Sequence, residues 1–211
     1  MKNLLIIGAR GFGREVYSLA KESYGYNESF VVKGFLDDKF DALYGLGSYP
    51  PIINSVENYQ ILPDDVFICA LGDVNYKKKY ADIILGKGGK FINIIHNDAH
   101  VSEFAQMGYG CIMMGYSSLS NNVKIGNFVT MQGYSTLGHD TNVGSYCELE
   151  TFTFTGGYAV VGDFVTLHTS AIISPHKRVG DHAIVGAGSV VIKNVKEGTT
   201  VYGNPAKKLE Y

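Results

Sequence analysis

From Val101 to Val191 every sixth residue is apolar: Val101, Met107, Met113, Leu119, Ile125, Met131, Leu137, Val143 and Leu149, then Val161, Leu167, Ile173, Val179, Val185 and Val191, with Thr155 the one interruption. Glycine often follows directly, as at Gly108, Gly126, Gly138, Gly144, Gly156, Gly162, Gly180 and Gly186. A small residue stands two places before, from Ala99 and Cys111 to Ser189, and Lys177 is the misfit. A helix repeats its apolar positions every three to four residues and an ordinary strand every two, so neither explains a period of six. A hexad repeat marks a parallel β-helix, whose short strands each point one side chain into a common interior stack. At three hexads per coil the run predicts about five coils at a spacing of ~4.8 Å, a prism roughly 25 Å long. Lys177 in a small interior slot predicts a local bulge, and the Thr155 hydroxyl is expected to bond the backbone.

Ahead of the repeat the pattern changes. Short apolar runs at Leu4 to Ile7, Val31 to Leu36, Val66 to Leu71 and Phe91 to Ile95 read as strands. The stretch opening at Gly8 and the stretch from Tyr76 to Leu85 read as helices. Strands alternating with helices predict a parallel sheet with covering helices, half of a doubly wound, Rossmann-like α/β fold. The organisation expected is therefore residues 1–95 as a Rossmann-like domain, 96–195 as the β-helix and 196–211 as a tail outside the period.

A formal net charge of −2 offers no basic surface for nucleic acid. The apolar start, MKNLLIIG, is too short to span a membrane and lacks a cleavage site, so a cytoplasmic protein without membrane insertion is expected. Three cysteines argue against a disulfide framework. Cys111 and Cys147 fall in the small interior slot and Cys69 in an apolar run, so all three read as small buried hydrophobes.

Two places carry candidate chemistry. Gly8, Gly11 and Gly13 lie between a strand and a helix, where glycine lets a phosphate approach backbone N–H groups at the helix N-terminus. Asp37 closes the second strand, about 24 residues after Gly13, where a dinucleotide fold places a ribose-binding acid. The spacing GxxGxG departs from GxGxxG and weakens a nicotinamide reading; the alternative is a tight turn and nothing more. The second place is His139-Asp140, where a carboxylate can fix the tautomer of an imidazole and fit it for general-base work. A solvated surface pair explains the dipeptide as well. His168, His176 and His182 raise the question of a metal. His139 and His176 lie two coils apart on one face, about 10 Å, too far to share a zinc within one chain, and no metal is expected.

GARGFGREV, FLDD, ALGDVN, the hexads with GHD, and GAGSVV followed by GNPAK form an ordered set. Together they resemble the sialic acid O-acetyltransferase (NeuD-like) family of hexapeptide-repeat sugar acyltransferases, and within it the bacterial enzymes that N-acetylate UDP-4-amino-sugars. The resemblance implies a left-handed β-helix, a homotrimer, and a cytoplasmic acetyl-CoA-dependent transferase of glycan biosynthesis with a nucleotide-sugar substrate. It makes His139 the catalytic base and Asp140 its acidic partner. It places Gly8, Ala9, Arg10, Gly13, Asp37, Asp38, Gly72 and Lys77 at the nucleotide-sugar pocket, Lys77 standing where the family often has Arg. Gly157 and Ala187 match positions that contact the acyl-CoA. Glu148 stands where the family often has a second histidine near the thioester. The function implied is acetyl transfer to a sugar amine. The alternatives are transfer to a sugar hydroxyl, a nicotinamide-dependent oxidoreductase, a non-catalytic nucleotide-binding module, and a metal enzyme on the same prism.

Overall fold

In the computed structural model, which describes residues 1–209, the first apolar runs form one parallel sheet. Its strands are β1 (Lys2–Ile7), β2 (Phe30–Leu36), β3 (Ile52–Asn54) and β4 (Asp65–Cys69), in the order β3-β2-β1-β4. Helix α1 (Gly11–Lys21) follows β1 and α2 (Val74–Gly86) follows β4. Strand β1 pairs on both edges, with β2 and β4, and Leu4 to Ile7 are buried; that is why it reads as an unbroken apolar run. Asp73 caps α2, its carboxylate accepting from the Asn75 and Tyr76 N–H groups at 2.9 Å. These elements belong to a unit spanning Met1–Asn97; a second begins at Asp98.

Two details differ from the sequence pattern. The expected strand at 91–95 does not join this sheet in full: Phe91 makes an isolated parallel bridge to Phe67, and only Ile94–Ile95 is a strand. Strand β3 takes the edge beside β2 instead, a short segment whose signal is masked by Pro50-Pro51 just before it.

The second unit is a parallel β-solenoid. Its two-residue strands pair with partners 18 residues on, Lys124 with Asn142 and Thr136 with Phe154 for example, so three hexads make one coil. One face holds the strands at 106–107, 124–125, 142–143, 160–161 and 178–179, and another those at 100–101, 118–119, 136–137, 154–155, 172–173 and 190–191. Leu119, Met131, Leu137, Leu149, Leu167, Ile173 and Val185 are fully buried in the stack, each stabilising by roughly 1.5–3 kcal/mol. Val101, at the start of the coil, remains 38% exposed. The expected bulge at Lys177 is absent: Val160 N–H donates to the Lys177 carbonyl at 2.9 Å and the 18-residue register continues. Lys177 is half-buried, its aliphatic stem able to lie along the coil. Thr155 is buried, but its hydroxyl meets the Thr141 hydroxyl at 3.3 Å rather than the backbone. Beyond the hexads, Thr200–Tyr202 pairs parallel with the strand at 184–185 and Lys207–Lys208 folds back antiparallel on it, so the tail extends a face of the coil. The last two residues of the expected tail lie outside the described residues.

At the corners the backbone turns through φ near +60° at Tyr116, Asn122, Phe128, Tyr134, Asp140, Tyr146, Phe152, Tyr158, Phe164, Ser170, His176 and His182. Bulky side chains rarely take that conformation. Here the rings stack on their neighbours one coil away: Tyr116 on Tyr134 at 5.1 Å, Tyr134 on Phe152 at 5.1 Å, Phe128 on Tyr146 at 4.9 Å and Phe164 on His182 at 4.7 Å. Stacked aromatic pairs add roughly 0.5–1.5 kcal/mol beyond their buried area, which offsets the backbone strain.

Candidate active site

A cavity of about 470 Å³ opens at the carboxyl ends of β1, β2 and β4. Open α/β sheets bind ligands in this crevice, where the strand order reverses between neighbouring strands. It is lined by Gly8, Arg10, Phe12 and Gly13 after β1, by Asp37 and Asp38 after β2, and by Gly72, Asp73, Tyr76 and Tyr80 after β4. Gly8 takes φ +97°, and a Cβ on Gly13 would lie 1.9 Å from the Gly8 carbonyl oxygen, so the turn folds back on itself only with glycine at both places. At Gly11 a Cβ would meet nothing within 4 Å. That glycine faces open space at the first turn of α1, whose N-cap Arg10 makes no side-chain capping bond.

The expected pocket residues separate into two groups. Gly8, Arg10, Gly13, Asp37, Asp38 and Gly72 line the cavity. Ala9 and Lys77 do not. Ala9 is buried and its N–H donates to Asp37 Oδ2 at 2.8 Å. Lys77 is 1% exposed, turned into the interior from α2. Asp37 also accepts from the Lys39 N–H at 2.9 Å, so each of its oxygens takes a backbone bond and the acid ties β2 to the glycine turn while lining the cavity. Asp38 accepts from the Tyr80 hydroxyl through Oδ2 at 2.8 Å. Burial and that carboxylate push the Tyr80 phenol well above its ordinary pKa. Tyr76 and Tyr80 escaped the sequence reading, although two tyrosines four apart on the helix after ALGDVN share one helical face.

On the coil, His139 Nδ1 and Asp140 Oδ2 are 2.8 Å apart. Asp140 sits at a corner with φ +59°, which swings its carboxylate back toward the preceding ring. Hydrogen bonding from His139, aided by Asn122, holds the Asp140 carboxyl below the usual carboxylate range. Asn122 Nδ2 donates to Asp140 Oδ1 at 3.2 Å, one coil earlier at the same corner. The His139 side chain is 58% exposed. Gly157 lies under its ring: a Cβ there would come within 2.7 Å of Cε1 and Nε2. Tyr158 meets the same ring edge-on at 5.2 Å. The structure thus brings His139, Asp140 and Gly157 together, and adds Asn122 and Tyr158. The period-six aromatic series through Tyr134, Tyr146, Phe152, Tyr158 and Phe164 was a legible signal for that last residue.

Glu148 and Ala187 stand apart from that corner. Glu148 is 3% exposed and accepts from the Thr130 hydroxyl at 3.0 Å. Ala187 is exposed in the turn whose Gly188 N–H bonds the Thr169 carbonyl, and this is the corner of Thr151 and Thr169, not of His139 and Gly157. Among the described residues no group of three or more His, Cys, Asp or Glu is arranged to hold a metal ion.

The pairing of an α/β unit with a hexapeptide-repeat solenoid is also found in solved acetyltransferases, and the first unit matches a known domain family. Residues 3–84 match the PglD N-terminal domain. The chain is 32% identical over 118 residues to the UDP-N-acetylbacillosamine N-acetyltransferase of Bacillus subtilis (strain 168), a match covering 54% of this chain and 52% of that protein, so it spans about half the length of that relative. The acetyltransferase domain of PglB from Neisseria gonorrhoeae, solved alone and with acetyl coenzyme A, is 27% identical; the structure solved alone has a TM-score of 0.89 and covers 99% of this chain and 100% of that one. PerB from Caulobacter crescentus, solved with CoA and GDP-perosamine, is 23% identical with a TM-score of 0.89, covering 100% of this chain and 98% of that one, a likeness of fold.

Proposed function

We propose that this chain transfers an acetyl group from acetyl-CoA to the amino group of a nucleotide-linked amino sugar, with His139 as general base. The observation that carries the reading is the 2.8 Å contact between His139 Nδ1 and Asp140 Oδ2 beneath an exposed imidazole. With Nδ1–H donating to Asp140, Nε2 presents its lone pair outward. The sugar amine attacks the thioester carbonyl carbon as Nε2 accepts its proton. The C–S bond breaks, the CoA thiolate leaves, and the imidazolium returns the proton to sulfur. Asp140 steadies the imidazolium without itself taking a proton.

The cavity of the first unit is the proposed seat of the nucleotide, its phosphates near the first turn of α1 and Arg10. The amine is preferred over a hydroxyl because the relatives named above include N-acetyltransferases of amino sugars. No described helix is long and apolar enough to cross a membrane, and acetyl-CoA and nucleotide sugars are cytoplasmic metabolites, so the reaction is assigned to the cytoplasm. A homotrimer is proposed as the working assembly, a neighbouring coil supplying the wall that the open His139 lacks.

The test is an assay of CoA release with UDP-, dTDP- and GDP-linked amino sugars beside their hydroxy analogues. Acetylation of an amine is expected, and His139→Ala should lower kcat by at least about a hundredfold while leaving the KM for acetyl-CoA nearly unchanged. Near-normal turnover in that variant, or transfer to the hydroxy analogue alone, overturns the proposal.

A further inference from the structure

Most corner rings of this solenoid stack face to face, and two meet a neighbour edge-on: Phe128 meets Tyr109 at 5.3 Å and 78°, and Tyr158 meets His139. In the face-to-face pairs an aromatic residue at φ near +60° lies on the corner ring one coil away, as Tyr134 does on Phe152 at 19° and Tyr146 on Phe164 at 1°. Tyr158 does so on one side only. It lies flat against His176, 5.0 Å away and at 5°. On the other side its corner neighbour is Asp140, which has no ring, and the Tyr158 edge instead meets His139 at 5.2 Å and 89°. The Tyr158 N–H donates to the His139 carbonyl at 3.0 Å, so ring and backbone approach the same residue. Gly157 completes the slot, since a side chain there would occupy the space of the imidazole.

We propose that Tyr158 is a positioning residue for the transfer reaction: its ring, braced by His176, is the wall that keeps the His139 imidazole turned toward Asp140. This rests on the reading of His139 as the base. A half-exposed imidazole held by one hydrogen bond can swing about its side-chain torsions into solvent. The edge of Tyr158 and the floor at Gly157 remove those alternatives. The arrangement requires a tyrosine in a backbone conformation that asparagine adopts far more readily, so local backbone preference is set against the geometry of the base.

That conflict supplies the test. Tyr158→Asn relieves the backbone and removes the wall; Tyr158→Phe keeps the wall and removes only the hydroxyl that helps to lower the Asp140 carboxyl. Tyr158→Asn should keep or raise Tm and leave both KM values unchanged, with kcat falling by about tenfold to a hundredfold. Tyr158→Phe should retain kcat within about threefold of the unsubstituted chain. Unchanged kcat in Tyr158→Asn overturns the proposal, as does a loss shared equally by Tyr158→Phe, or a fall in kcat that merely tracks a fall in Tm. Should the unsubstituted chain acetylate none of the sugars, the function proposed above fails on its own. The positioning role is then judged by the His139 ring resonances, assigned through their loss in His139→Ala. A His139 Nδ1–H signal as sharp and unshifted in Tyr158→Asn as in the parent chain would overturn it.

Discussion

Single side chains inside the coil show how narrowly polar groups are tolerated there. Thr141, Thr153 and Thr155 are all buried. Thr141 bonds both the Thr155 hydroxyl and the Gly156 carbonyl at 3.3 Å. Among the described residues Thr153 Oγ1 is a buried side-chain oxygen with no hydrogen-bond partner. A hydroxyl desolvated without a partner costs about 1–3 kcal/mol, and valine has nearly the same shape. Thr153→Val should therefore stabilise by about 1 kcal/mol, raising Tm by roughly 2–4 °C. Thr141→Val should destabilise by at least about 1 kcal/mol, because it strands the Thr155 hydroxyl. Thermal unfolding of the two variants checks both signs, and a fall in Tm for Thr153→Val would contradict the assignment of that hydroxyl as unsatisfied.

At the scale of elements, the turn from β1 into α1 divides its glycines by task. Gly13 packs on the Gly8 carbonyl and has no room for a methyl group, whereas Gly11 is exposed, with open space where a methyl group would stand. Gly13→Ala should accordingly destabilise the first unit, by about 2 kcal/mol or more, through forced displacement of backbone. Gly11→Ala should fold normally and instead weaken nucleotide diphosphate binding, because its methyl group would stand at the first turn of α1, beside which the phosphates are proposed to bind. Calorimetric titration with UDP, GDP and dTDP alongside an unfolding curve reads both. Binding in Gly11→Ala equal to that of the parent chain would remove the phosphates from this turn. The same element shows how far pattern carries: the glycine spacing located the turn, but the partition of Asp37 to the backbone and Asp38 to Tyr80 depends on where β2 ends relative to α2.

For the molecule as a whole, the buried cluster of Asp65, Lys33 and Tyr59 makes stability depend on pH. Asp65 in β4 is fully buried at its side chain and accepts from Lys33 at 2.8 Å, from the Tyr59 hydroxyl at 2.6 Å and from the Leu62 N–H at 2.8 Å. Burial alone would raise its pKa, but those hydrogen bonds outweigh it and leave the carboxyl below its ordinary value. Burial likewise opposes Lys33, whose bonds to Asp65 and Tyr59 nevertheless raise it. A lowered carboxyl contributes stability that is present above about pH 4 and lost as pH falls through the folded value. A raised lysine contributes stability present below about pH 10.4 and lost as pH climbs through its folded value. Asp65→Asn should cost about 2–3 kcal/mol at neutral pH and flatten the acid limb of the stability curve. Denaturant titrations between pH 3 and 7 test this, and an acid limb of undiminished slope would show that other carboxyls carry it.

What the sequence by itself determined was the coil and its register. A period of six survives only where every sixth side chain enters one stack, so the interior from Leu119 to Val191, with Thr155 included, was written in the order of residues. The alternation of apolar runs and helical stretches likewise determined a parallel sheet with a glycine turn at the carboxyl end of its first strand. Only the tertiary structure decided which groups meet. His139 and Asp140 are adjacent in sequence, yet Asn122, Gly157 and Tyr158 reach them through the 18-residue rise of the coil. Glu148 and Lys77 are buried by packing that no local pattern records. Periodicity reports which side of an element is buried, because burial repeats with the backbone; the partner that fills each hydrogen bond is set by the distance between segments remote along the chain.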